Sequence, residues 1–419
     1  MLPSIKSEIN QIRLVITHKP GNEHEYITPS NLKEETSTDK GIIPNPEYLL
    51  FDDLIDVEKA SKEHNELYKT LDYFTNGNCY EFTDLLGDVL ENNLIKQKLI
   101  DECIKLEIEL YSNHINNKVL YNLSPQDLIK VLLSGYKNDE QIFTYPIPNL
   151  IFTRDIAVCI GESVLITWSK KDVRKRENLL AKYVFSYYDK FKNLNVYDFH
   201  NKHQGLSIEG GDILVFDDKT ICIGVSERTP IESIAKIVPL CYSEGFEKII
   251  AIDLPKKRAL MHLDTIFTRI NENEVLVFPP ILDAKFKDHL NKTYIFKNKQ
   301  IEPEIALKDF ISILNDEGKN IKYIKCGANS KIMQEREQWT DGANAFALSP
   351  GKIIGYDCNR FTLKELENNG YKIITSSEYI LNYKDFNLSK EKLIITIKGS
   401  ELSRGRGGPR CLTLPLSRL

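Results

Sequence analysis

Four short polar segments of this 419-residue chain carry side chains that could do chemistry. They are "PNLIFTRD" (148–155), "IEGGDILVF" (208–216), "MHLDTIFTRI" (261–270) and "RGRGGPRC" (404–411). Each sets a charged residue beside glycine or at the end of an apolar, strand-like run, where rigid scaffolds display reactive groups. Taken singly, each has a plainer reading. Asp155 after Arg154 suits a surface ion pair or a turn. Glu209-Gly210-Gly211-Asp212 suits a turn before a strand, and His262 between Met261 and Leu263 suits a half-buried histidine. The arginine–glycine tail suits a flexible basic segment, since chain ends usually fray.

Taken together they describe a reaction. Cys411 is a nucleophile only as thiolate, and a free thiol with a pKa of about 8.5 needs a base or a cation to hold it so. His262 is the candidate proton carrier. Asp155, Glu209 and Asp264 exceed what a cysteine–histidine pair requires, but they suit a cationic substrate. A guanidinium presents five N–H donors in a planar fork and stays charged near neutral pH. Burying one requires carboxylates on more than one side. Arginines near the cysteine would grip an anionic end of the same molecule. Carboxylates for a guanidinium and arginines for a carboxylate together describe free L-arginine.

The elements that must position these groups can be read from periodicity. "RLVITH" opens the chain as a strand, and a long polar loop follows over residues 19–47, the kind of segment that is often a functional lid or disordered. Residues 54–137 turn helical, with apolar residues at three- and four-residue intervals in "DLIDVEKASKEHNELYKTL", "FTDLLGDVLENNLIKQKLIDECIKLEIEL" and "SPQDLIKVLLSGY". Ser124 and Gly135 would cap the last of these. From about residue 145, strands such as "AVCIG", "SVLITW", "DILVF", "TICIGV", "KIIAID", "EVLVFPP", "NAFALSP", "KIIGYD" and "KLIITI" alternate with helical runs. Those runs are "KRENLLAKYVFSYY", "TPIESIAKIVPLCY" and "TLKELENNGY". The pattern is α/β with a helical insertion and repeated strand–strand–helix units.

Composition narrows the class. A net charge of -5 argues against a protein that coats nucleic acid, although the tail is locally basic. No apolar run approaches the roughly 20 residues of a membrane span. None of the eight cysteines forms a C-x-x-C pair, which argues against zinc and for a reducing compartment.

The ordered motifs make the sequence similar to the arginine deiminase family of the guanidine-modifying, or amidinotransferase, superfamily. They run in the family's own order over nearly the whole chain. The series begins with "EYITPSN", "LLFDDLIDVEKASKEHNEL", "PNLIFTRD", "VRKRE" and "EGGDILVF". It continues through "SERTP", "MHLDTIFTRI", "WTDGANAFALSPG" and "GSELSRGRGGPRC". The resemblance implies a five-bladed, pseudo-symmetric α/β propeller of residues 1–53 and 138–419, with 54–137 as an inserted helical subdomain. It implies Cys411 as nucleophile and His262 as general acid and base. Asp155 and Asp264 would chelate the substrate guanidinium, and Glu209 would contact its nitrogens or orient His262. Arg174, Arg228 and Arg406 would bind the α-carboxylate with Asn149 nearby, and Phe152 would pack on the aliphatic stem.

The implied reaction is hydrolysis of L-arginine to L-citrulline and ammonia through a covalent thiouronium, with no metal or organic cofactor. The expected setting is a cytoplasmic homo-oligomer without nucleic-acid or membrane partners. An amidinotransferase, a dimethylarginine hydrolase or an agmatine deiminase would share the cysteine, histidine and carboxylates. The three arginines argue for a free α-carboxylate and so against agmatine. A non-catalytic arginine-binding homologue is a further alternative, disfavoured by the intact Cys411 and His262.

Overall fold

A computed structural model describes residues 3–38, 41–282, 293–306, 310–316 and 319–419 of the chain. Among them are five sheets of three or more strands, and all five start the same way. Two antiparallel strands are followed by a third that lies parallel to the second. Ala157–Ile160, Ser163–Ile166 and Asn195–Asp198 form one such unit. Ile213–Val215, Thr220–Val225 and Lys248–Asp253 form the next, extended by Thr293–Lys297 and Glu304–Ala306. Phe267–Asn271, Glu274–Val277 and Lys322–Lys325 follow. Phe346–Ser349, Lys352–Tyr356 and Lys392–Ile397 make the fourth, with Tyr371–Thr375 at its edge. In the fifth, the first strand is the C-terminal Leu414–Arg418 and the other two, Ile12–Thr17 and Cys79–Glu81, come from near the N-terminus. Both ends of the chain are therefore woven into one sheet. The result is a mixed α/β fold.

Just before the first strand of each unit stands a short polar residue: Asp155, Asp212, Asp264, Asn344 or Cys411. Hydrogen bonds link these five turns in sequence and return to the first. Gly211 N donates to Asp155 Oδ1 (3.0 Å), and Leu263 N donates to Asp212 Oδ1 (3.1 Å). Asn344 Nδ2 donates to the Asp264 carbonyl (3.0 Å), while its Oδ1 accepts from Arg410 N and Cys411 N (3.1 Å each). Arg154 N then donates to the Cys411 carbonyl (3.1 Å). Beneath this ring lies a buried ionic column. Arg410 Nε donates to Glu8 (2.8 Å) and its NH1 to Asp264 Oδ2 (2.8 Å), with Arg154 and Arg418 close by. Burial alone would raise the Glu8 carboxyl, but Arg410 and Arg154 hold it down at about 2.

Helices Val57–Thr75, Phe82–Leu90, Asn93–Tyr111, Asn117–Tyr121 and Pro125–Ser134 occupy the segment read as helical. Ser124 caps the last by accepting from Asp127 N (3.1 Å), and Gly135 ends it at φ +81°. The long pattern from Phe82 is two helices rather than one, because the Asn92 side chain accepts from Leu94 N and Ile95 N and starts a new helix. The apolar faces of the last four share one core with Leu14, Ile16 and helix Lys175–Tyr187, whose start carries Arg174, whereas Ala60, Leu67, Leu71 and Phe74 of Val57–Thr75 pack in a second core with Val15, Phe152 and Cys411.

Other expectations need correcting. The polar loop over 19–47 contains an antiparallel hairpin, Glu35–Thr38 with Gly41–Pro44, and residues 39 and 40 lie outside the described set. Tyr371 starts a strand instead of ending a helix, because Gly370 at φ +86° terminates the helix Arg360–Asn368. The short strands Cys79–Glu81, Asn195–Asp198 and Leu414–Arg418 escape a periodicity reading. No helix among the described residues is long and apolar enough to cross a membrane.

Candidate active site

The ring of turns surrounds a narrow cavity. Asn149, Phe152, Asp155, Arg174, Glu209, Arg228, His262, Arg406 and Cys411 all line it. Asp264 lies directly behind the cysteine, its Oδ2 3.5 Å from Cys411 Sγ. The sequence places these residues more than 250 positions apart; the ring is what gathers them.

Cys411 is buried, and its turn is fixed on both sides by the Asn344 side chain and the Arg154 amide. Burial pushes its thiol well up, Asp264 and Asp155 add to this, and Arg410 opposes them. His262 Nε2 lies 2.8 Å from Glu209 Oε2, and Nδ1 lies 3.7 Å from Asp155 Oδ1. Burial alone would lower this histidine. Asp155 and the Glu209 hydrogen bond instead raise it to about 9, so the ring is an imidazolium at neutral pH. Glu209 is held from behind as well, for Lys170 N donates to its Oε1 (3.0 Å). Burial works against its charge, but the His262 hydrogen bond and Arg228 keep the carboxyl well below the usual range. Gly211 must be glycine here: a Cβ would sit 2.5 Å from His262 Nδ1.

Arg174 distributes its donors over Asp155 Oδ2 (2.7 Å), Glu177 Oε2 (3.0 Å from Nε) and the Asn149 carbonyl (3.1 Å). It is thus paired with an acid of the site, and an incoming carboxylate would have to displace one of these partners. Arg228 and Arg406 differ. Arg228 Nε has no hydrogen-bond partner, and neither do Nε and NH1 of Arg406, although all three are buried; the nearest acid to Arg406 Nε is Asp52, at 3.8 Å. Arg406 adopts φ +66° between two glycines, which lays its guanidinium 3.7 Å above the Trp339 ring. Asp264 Oδ1 is likewise a buried acceptor without a partner. Unmet donors and acceptors in one buried cavity are costly unless a ligand satisfies them. Phe152 lines the cavity with Phe51 at 6.2 Å, and Gly407 leaves room for its ring. Asp155, Glu209 and His262 bring one donor atom each within 4.8 Å of one another, a spacing a cation could use. Here the positive charge facing the two carboxylates is that of Arg174 and the imidazolium.

A family model described as arginine deiminase matches residues 131–418. The arginine deiminase of Mycoplasma capricolum subsp. capricolum is 33% identical over 433 residues, spanning 99% of this chain and 97% of that one. The chain belongs to the arginine deiminase family. The arginine deiminase of Borrelia garinii subsp. bavariensis is 33% identical over 441 residues, with 99% and 97% coverage. A crystal structure of a dimethylarginine dimethylaminohydrolase adduct with S-methyl-L-thiocitrulline overlays at a TM-score of 0.47 and 15% identity. It covers 96% of this chain and 99% of that one, a likeness too distant to carry an argument.

Within this family member, sequence reasoning missed three contributors. Arg258 lines the cavity, its NH2 donating to the Leu50 carbonyl (2.8 Å) and to Asp52 (3.1 Å). This ties the end of the 19–53 segment to the site. Asn344 fixes the cysteine turn, and Arg410 neutralises Asp264. Asn344 lay inside the quoted "WTDGANAFALSPG", but a buried asparagine that bonds only to backbone leaves no charge signature in sequence. Arg410 sits next to Cys411, yet nothing in "GPRC" says that this arginine points inward.

Proposed function

We propose that this chain hydrolyses L-arginine to L-citrulline and ammonia. One observation carries the reading: a buried thiol, an imidazolium–carboxylate pair and Asp155 line the same cavity as arginines with unmet N–H groups, and Asp264 stands against the thiol from behind. The aspartates accept from the substrate guanidinium, with the free Oδ1 of Asp264 as one acceptor. Arg228 and Arg406, with Arg174 and Asn149, take the α-carboxylate, and Phe152 packs on the methylene stem. This arrangement holds the guanidinium carbon near Sγ and supplies orientation.

Substrate binding brings a cation against Asp155 and Asp264. It therefore offsets the charges that raise the thiol and favours the thiolate, the thiol proton passing to solvent because His262 already carries one. Sulfur then bonds to the guanidinium carbon to give a tetrahedral adduct. The His262 imidazolium donates its proton to one terminal nitrogen, the C–N bond breaks, and ammonia leaves a Cys411 S-thiouronium. Neutral His262 next takes a proton from water, whose oxygen bonds to the same carbon. Cleavage of the C–S bond expels the thiolate as the carbonyl forms, and the proton lost from the adduct's hydroxyl returns sulfur to the thiol as citrulline leaves. Glu209 steadies the imidazolium through both half-reactions.

We also read residues 1–53 and 138–419 as a five-bladed α/β propeller with 54–137 inserted as a helical subdomain. The repeated strand order and the closed series of hydrogen bonds between the five turns support it. An experimental structure without a pseudo-fivefold arrangement of the sheets would overturn that reading. For the activity, the purified protein is incubated with L-arginine, and citrulline and ammonia are measured together. Equal release of both, absent in Cys411→Ala, is expected. No release from arginine, or faster turnover of agmatine or methylated arginines, would overturn the assignment.

A further inference from the structure

Asp212 belongs to none of the roles above, yet it is wholly buried beneath three of the groups that fill them. Its Oδ1 accepts from Leu263 N (3.1 Å), next to His262. Its Oδ2 accepts from Ser226 Oγ (2.6 Å), and the Thr229 hydroxyl also donates to this carboxylate. Ser226 Oγ in turn accepts from Arg228 N (2.9 Å) and Thr229 N (3.1 Å). Thr229 Oγ1 accepts from Glu209 N (3.1 Å). Three branches therefore leave one carboxylate. They end at the backbone of the proton carrier, of its carboxylate partner and of an arginine with an unmet donor. Gly224 makes space for the hub, because any Cβ there would collide with Asp212 Oδ1.

The donor count fixes which way the bonds around the hub run. A hydroxyl has one proton and two acceptor lone pairs. Ser226 Oγ already accepts twice, so its proton must go to Asp212. Thr229 Oγ1 accepts from Glu209 N and spends its proton on Asp212 too. Both oxygens of Asp212 are therefore acceptors; burial pushes its carboxyl up to about 7, while His262 and the Ser226 and Thr229 hydrogen bonds oppose the rise.

We propose that Asp212 is a positioning residue that holds the Glu209, His262 and Arg228 turns in one register through Ser226 and Thr229. The proposal rests on the reading of this cavity as an arginine-hydrolysing site. It separates the branches: Ser226 serves substrate grip, and Thr229 serves the general acid–base pair.

The test compares Ser226→Ala, Ser226→Thr, Thr229→Val and Asp212→Asn in steady-state kinetics with L-arginine, on variants whose circular dichroism matches wild type. Ser226→Ala leaves two buried N–H groups without an acceptor. It is expected to raise KM roughly tenfold with kcat near wild type. Ser226→Thr keeps the hydroxyl and restores KM. Thr229→Val is expected to lower kcat roughly tenfold with KM little changed. Asp212→Asn, with one acceptor where two are needed, is expected to do both. If Ser226→Ala and Thr229→Val move kcat and KM alike, or move neither, the branch assignment is overturned. A wild-type protein that releases no citrulline would instead overturn the functional reading beneath it, a result visible before any variant is made.

Discussion

Asp264 should have opposite effects on the two halves of the chemistry at Cys411, and replacing it with asparagine separates them. In the free protein its Oδ2 stands 3.5 Å from Sγ and helps burial keep the thiol protonated. Two unit charges at that distance interact by about 5 kcal/mol at an effective dielectric constant near 20. Arg410 donates to the same oxygen at 2.8 Å and offsets part of this. Each 1.4 kcal/mol that survives is roughly a tenfold change in thiolate population. Asp264→Asn should therefore make Cys411 more reactive toward a small alkylating agent. The same change removes a charged acceptor for the substrate guanidinium, worth about 1.5–3 kcal/mol, or roughly 10–150-fold in kcat/KM.

The assay is alkylation by iodoacetamide at several pH values below the thiol pKa, with the Cys411 peptide quantified by mass spectrometry, beside citrulline release from L-arginine. Peptide-level detection is needed because seven other cysteines are present. Alkylation should speed up while turnover falls. A Cys411 alkylated no faster than in wild type would refute the electrostatic argument. Turnover that survives within a few-fold would refute the clamp.

Three further outcomes follow from the same geometry. Because His262 is raised to about 9, kcat/KM should fall as pH passes that value, and Glu209→Gln, which removes the supporting hydrogen bond, should move the fall to lower pH; an unmoved limb would assign it to another group. Asn344→Ala strands two amides and a carbonyl in the ring, so urea denaturation should show a loss of about 2–4 kcal/mol, and citrulline release should collapse with it. His18 is buried between Glu23 and Glu81; burial would lower it, but those carboxylates raise it to about 10. Its stabilising contribution is therefore complete below its unfolded pKa near 6.5 and lost as pH rises through about 10. The stability gap between wild type and His18→Gln should narrow over that window, and a constant gap would be contrary evidence.

The candidate site was legible in sequence because its reactive groups sit in polar clusters that interrupt apolar, strand-like runs. Asp155, Glu209, His262, Asp264 and Cys411 stand out for that reason. Arg228 and Arg406 stand out as charges beside turn residues. The strands "TICIGV", "KIIAID" and "KLIITI" were equally readable, since each is an uninterrupted apolar run buried on both faces. What periodicity could not supply was anything resting on a few residues or on contacts distant in sequence. Cys79–Glu81 has three residues and Asn195–Asp198 is partly exposed, so neither leaves a pattern. The pairing of Arg174 with Asp155 and Glu177, and the hub role of Asp212, exist only once the turns meet.

The position of Cys411, just before the strand Leu414–Arg418, also finds its reason in the ring. The other four turns place Asp155, Asp212, Asp264 and Asn344 at this point, each giving side-chain acceptors to an adjoining turn or chain. Cys411 occupies the fifth such place, so sulfur stands where the repeat would otherwise set an acceptor. It faces the two carboxylates suited to a guanidinium. Holding it there requires the last strand, Leu414–Arg418, to pair with Ile12–Thr17 and to bury Leu414 and Leu416. Arg418 NH1 adds bonds to the Asn10 carbonyl (2.6 Å) and the Ala347 carbonyl (2.8 Å). The tail is thus tied down more firmly than most termini. The contacts that anchor the last strand are the ones that aim the Cys411 thiol, so losing that strand and losing the proposed chemistry should be one event.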